Sequence, residues 1–162
     1  MFSKFARAMV AGAVVAAALS VGPAPAWASP PSDACSLLTQ SQLSSAPGVS
    51  MGASRTLFPK GCRWDQQVRL GDPAVIVIVS LMSMDLFTNS RALLTGNRIT
   101  ATTVSGIGDD AYYLTGSAGG LTTLMVKKGD AAFSVRVWGA GAIPGQIKPQ
   151  EKALAQMVIA RL

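Results

Sequence analysis

The sequence predicts a single α+β domain, an antiparallel sheet with helices packed mainly on one face. Three observations carry that expectation. Alternating or β-branched segments at 111–115, 121–127 and 132–138 follow one another with only turn-length connections, and short strand-to-strand connections favour antiparallel pairing. Stretches at 33–46, at 85–94 and from Pro149 onward instead carry helical caps or a helical apolar stripe. The 162-residue chain, less an N-terminal leader, has the length of one domain with one hydrophobic core.

The leader is residues 1–28, which read as a cleaved secretory signal peptide. Lys4 and Arg7 form its positive region, and 9–21 is a 13-residue run of small and apolar residues. Pro23 and Pro25 break the helix, and Ala26-Trp27-Ala28 offers the small residues of a cleavage site. A membrane-spanning helix needs about 20 apolar residues, so an uncleaved anchor fits less well. A lipid-bearing cysteine is not expected either, because Cys35 follows Ser32-Asp33-Ala34 with its acidic residue. The mature domain is therefore 29–162, exported to the periplasm or outside the cell and without a membrane span. Loss of Lys4 and Arg7 lowers the net charge from +6 to +4. Such mild basicity gives at most a weak attraction to anionic envelope polymers. Lys127-Lys128 is the one adjacent basic pair, which argues against nucleic-acid binding.

Residues 33–46 read as helix, in one piece or two. Thr39 and Gln42 have capping-box spacing ahead of Leu43, and Pro47-Gly48 is the stop. An edge strand is expected within 49–57, then a turn at Pro59-Lys60-Gly61. From 62 to 70, Cys62, Trp64, Gln66, Val68 and Leu70 share one face, while Arg63, Asp65, Gln67 and Arg69 share the other. That alternation predicts a half-buried strand with Trp64 turned to the core. Residues 74–82 are apolar on both faces and β-branched, as in a central strand. The helix at 85–94 has Ser83 or Asp85 as its cap and Gly96-Asn97 as its stop.

A Thr-rich strand is expected at 98–104, and 105–110 is a tight glycine loop. The strands 111–115, 121–127 and 132–138 then form a meander, with turns at 116–120 and Gly129-Asp130. A connection over 139–146 leads to a last helix with Pro149 at its first position, Glu151 in its first turn, and Leu154, Met157, Val158 and Leu162 as its apolar stripe.

Two cysteines in an exported chain most simply form one disulfide, Cys35 to Cys62. The sequence has no histidine. A catalytic thiol therefore lacks its usual partner, and the Ser-His-Asp arrangement and the usual zinc ligands are absent. No catalytic constellation stands out and no cofactor is implied. Asp109 and Asp110 are the one acidic cluster and candidate ligands for a hard cation such as Ca²⁺. Calcium loops space several ligands at alternate positions, so a turn capped by an Asp between glycines is favoured.

The candidate ligand or partner surface is Arg136 with Trp138. If Phe133, Val135 and Val137 face the core, those two share the other face, where a cation and an indole could grip a ligand. The competing expectation is that Trp138 closes the end of the sheet beneath the glycine-rich 139–145 segment. Tyr112 and Tyr113 alternate, so one ring faces in and the other out.

Three stretches together resemble a known family. They are Asp33-Ala34-Cys35-Ser36-Leu37-Leu38-Thr39, then Cys62-Arg63-Trp64, then Gly106-Ile107-Gly108-Asp109-Asp110-Ala111-Tyr112-Tyr113. In this order the chain resembles bacterial exported proteins and lipoproteins of the DUF 3558 type, from about 33 to 162. The resemblance implies an extracytoplasmic α+β domain and no transferable activity. The chain departs from lipoprotein members in lacking a lipid-bearing cysteine.

The expected function is a non-enzymatic binding or accessory module of the bacterial cell envelope, acting on a protein or envelope ligand that the sequence does not identify. The alternatives are a carboxylate-dependent hydrolase built on Asp109, Asp110 or Asp130, and an inhibitor or immunity-type protein.

Overall fold

Turn chemistry and alternation divide the strands into two meanders. In the computed structural model, which describes residues 31–57, 60–94, 98–116 and 121–162, the first comprises β1 (Arg55–Leu57), β2 (Gly61–Asp65) and β3 (Ile76–Met82). The second comprises β4 (Ile99–Thr103), β5 (Asp110–Gly116), β6 (Thr122–Lys128) and β7 (Ala131–Trp138). Helix α2 (Met84–Leu94) carries the chain from β3 to the far edge, and the second meander then steps back until β7 lies beside β3. The result is one seven-stranded antiparallel sheet in the order β1-β2-β3-β7-β6-β5-β4. The α+β domain with an antiparallel sheet is thus as expected. The leader over 1–28 lies outside the described residues, as do Pro59, the stop at Gly96-Asn97 and most of the turn at 116–120.

Residues 33–46 fold in two pieces. A 3-10 turn (Ala34–Ser36) is capped by the Asp33 carboxylate, which accepts from the Cys35 backbone N–H at 2.8 Å. Helix α1 (Gln40–Ser45) follows with the capping box formed: the Thr39 hydroxyl accepts from Gln42 N–H, and the Gln42 side chain accepts from Thr39 N–H at 3.0 Å. The disulfide joins Cys35 to Cys62, with Cα atoms 5.0 Å apart, and so ties the 3-10 turn to β2. Ser83 caps α2, its hydroxyl accepting from Leu86 N–H at 3.1 Å.

Two elements begin or end elsewhere than the sequence suggested. The strand expected over 62–70 stops at Asp65, opposite Ile76 where β3 begins. Gln66 then peels away, bonding Val75 through both its backbone N–H and its side-chain carbonyl. Val68 and Leu70 are consequently exposed rather than in the core. Helix α3 (Pro144–Ile159) starts five residues before Pro149, with Pro144 in the N1/N2 region. A preset φ is favourable there, so Pro149 falls inside the helix and removes one N–H from its ladder.

The two faces of the sheet are covered unequally. On one, Val79, Leu124, Phe133, Val135 and Val137 meet Leu43 of α1 and Leu154 and Val158 of α3, with Trp64 and Met51 sealing the side. On the other, α2 alone packs over part of β4 to β7, with Phe87 against Tyr112, Met125 and Ala132. Among the described residues no helix is long and apolar enough to cross a membrane.

Candidate functional site

Alternation along β7 sends Phe133, Val135 and Val137 to the sealed face and Ser134, Arg136 and Trp138 to the other. There α2 is too small to finish the cover. One helix of 11 residues is about 16 Å long and 10–12 Å across, whereas seven strands about 4.8 Å apart span about 29 Å. A groove of about 360 Å³ remains beside the helix. Its floor is built by register: Ser134 lies opposite Met125, and Leu114 opposite Thr123. Met82, Ile99 and Leu121 add apolar walls, and Arg136 stands at the edge as the one charged side chain among the described lining residues. Its guanidinium Nε donates to the Thr123 hydroxyl at 2.9 Å. Arg136 forms no ion pair among the described residues.

Directly behind Arg136, on the sealed face, lies Glu151. The ladder between β6 and β7 ends at Leu124 opposite Val135. Past that point the Val137 backbone N–H donates to Glu151 at 3.1 Å, and the Thr122 hydroxyl donates to the other carboxylate oxygen at 3.0 Å. The side chain of Glu151 thus fills a split between two strands and is completely buried. Burial pushes its pKa up to about 7, against the opposing pull of those two hydrogen bonds and of Arg136 and Lys148. Nothing in the sequence marked Glu151 beyond its place in the last helix.

The residues singled out from the sequence separate in space. Arg136 and Trp138 share a face as expected, but Arg136 lines the groove while Trp138 does not. Trp138 lies opposite Ile76, with its indole N–H buried and without a hydrogen-bond partner among the described residues. Tyr112 and Tyr113 do point to opposite faces, yet neither is exposed, at 0% and 7%. Both faces are covered at β5, so the expectation of one outward ring is corrected. The Tyr112 ring packs tilted against Phe87, centroids 5.1 Å apart, beneath α2 and donates its hydroxyl to the Phe87 carbonyl. Tyr113 donates to the Lys148 carbonyl at 2.8 Å beneath α3, and burial pushes its phenol up to about 12.

Asp109 and Asp110 have separate partners. The Asp109 carboxylate accepts from Gly129 N–H at 2.7 Å and from Lys128 Nζ at 2.9 Å, and the Gly129 bond is the main cause of its lowered pKa. It fastens the glycine loop to the β6–β7 turn. Gly108 permits this: its φ is +58°, and a Cβ there would lie 2.3 Å from the Lys127 carbonyl oxygen. Asp110 instead pairs with Arg91 of α2 at 3.5 Å. Among the described residues, no three His, Cys, Asp or Glu side chains come together as a metal site would need.

A second concavity of about 350 Å³ lies between the end of α1 and α3, lined by Ser45, Pro47, Gly48, Gln146 and Gln150 among others. It offers no charged side chain and little apolar wall, so the groove beside α2 is the stronger candidate. The groove was missed in the sequence because its lining comes from β3, β4, β5, β6 and β7 together. The one available signal was the shortness of the single helix joining β3 to β4. Comparison with protein-family models, with curated proteins and with solved structures finds no match to this chain.

Proposed function

We propose that this protein is a non-enzymatic binding module of the cell envelope that holds a small, largely apolar molecule in the groove beside α2. The groove itself carries the proposal. It is open, its walls are mainly Met and aliphatic side chains, and its few polar groups come from Ser90, Thr123, Ser134 and Arg136, which is the usual make-up of small-molecule sites. Met82 and Met125 add adaptable thioethers to that lining. The Cys35–Cys62 disulfide supports an oxidising compartment, in keeping with the leader and with the resemblance to extracytoplasmic DUF 3558-type domains.

A neutral single-chain probe tests this. Decanol should raise the unfolding temperature of the purified chain, because a ligand that binds only the folded state stabilises it. Ser134→Phe, which projects a ring into the groove, should abolish that rise while circular dichroism and the disulfide stay unchanged. Leu121→Asp, at an exposed position of the wall, should weaken it. No rise for the unaltered chain, or an equal rise for all three proteins, would overturn the assignment.

A further inference from the structure

We infer that the occupant of the groove is a single-chain amphiphilic carboxylate, with its head on Arg136 and its tail along the Met82, Met125 and Leu114 wall; this rests on the groove being the binding site. The charge pattern selects the head group. The described lining contains one cation and no acid. Arg136 spends Nε on Thr123 and forms no ion pair among the described residues. A guanidinium presents its donors as a fork that a carboxylate accepts bidentately, and the Ser134 hydroxyl stands two residues away on the same face of β7. One positive charge matches one carboxylate. A phosphate monoester dianion would leave a negative charge without a partner against an apolar wall.

The volume selects the tail. At about 360 Å³ the groove lies at the low end of the ~300–1,000 Å³ range of small-molecule sites. It has room for one medium chain and none for the two chains of a membrane lipid.

Calorimetric titration of the full chain with decanoate, decanol and decyltrimethylammonium separates the possibilities. Decanoate should bind at least tenfold more tightly than decanol, and the cation more weakly than either. Arg136→Gln should cost decanoate about tenfold or more, the usual scale for a charged hydrogen bond, while leaving decanol unchanged; Arg136→Lys should restore part of the loss. Octanoate should bind roughly fifteenfold more weakly than decanoate, since each buried methylene is worth about a factor of four. Equal binding of decanoate and decanol, or indifference of decanoate to Arg136→Gln, overturns the carboxylate assignment while the groove stands. Failure of all three probes to bind overturns the groove as well.

Discussion

The two faces of this sheet are made from the same strands, residue by residue in alternation, yet they have different physical characters. One is closed by α3, α1 and the disulfide-tied 3-10 turn, and its side chains are almost wholly out of water. The other has one 11-residue helix, a smaller cluster around Phe87 and Tyr112, and a groove where the cover ends. The difference teaches where stability and binding reside: close packing of the first face holds the fold, so the second can leave apolar surface within reach of solvent.

The sharpest way to break this division is to truncate one large side chain on each face. Phe133 is fully buried in the sealed core, and Phe133→Ala should cost about 3–5 kcal/mol. Leu114 lines the groove and is half-buried, so Leu114→Ala should cost about 1 kcal/mol, part of its surface being wet already. Urea unfolding of both variants measures the contrast. Equal losses would mean that the two faces carry the fold alike.

Next in size is the disulfide, which closes a 27-residue separation on the sealed face. Replacing both cysteines by Ala should lower stability by about 3 kcal/mol in the chain-entropy account, with groove ligands still bound by whatever remains folded. An unchanged unfolding midpoint, with or without reductant, would remove the staple from the sealed face's contribution.

Glu151 makes the sealed face pH-sensitive. Its pKa is raised from the ordinary value of 4.5 to about 7, so the folded state holds the proton more tightly than the unfolded chain. The stability this contributes is fully present below about 4.5 and is lost as pH rises through about 7, a change on the order of 3 kcal/mol. Glu151→Gln keeps an acceptor for the Val137 N–H and carries no charge. It should leave stability near pH 5 little changed, raise it at pH 8, and flatten the profile between. A variant destabilised equally at both values would show that the carboxyl is ionised throughout.

Where the fold was legible in the sequence, the signal was local. Thr39 and Gln42 announced a cap because a capping box is made within four residues, and 132–138 announced a strand because alternation is a property of the strand itself. Cys35 and Cys62 were paired because there was no other choice. What was not legible depends on partners distant in the chain. Val68 and Leu70 continue the alternation of β2, but no neighbouring strand extends far enough to pair with them. Tyr112 and Tyr113 alternate as expected, and only the presence of α2 on one side and α3 on the other buries both. Pro149 resembles a helix start until Pro144 is seen to occupy that role. The groove belongs to the same class, since five strands and one helix meet there and no single segment records it.

The smallest expected effect gives the finest test. Arg136 and Val135 are neighbours on β7 that face opposite ways, one exposed and one at 0% exposure. Arg136→Gln should therefore change stability by no more than about 0.5 kcal/mol near pH 5, against the much larger cost of truncating Val135. That small change should not be constant with pH. Glu151 lies behind the strand, and Arg136 and Lys148 are the cations that favour its ionised form. With Arg136 neutralised, the carboxylate keeps only Lys148 and its two hydrogen bonds, so its pKa should rise further. Below that pKa the proton stays on and the substitution is nearly silent; above it, a less compensated buried charge must form and stability should fall. A variant that loses stability equally at pH 5 and pH 8 would mean that Arg136 acts through its contact with Thr123 alone, and that the two faces do not communicate through the sheet.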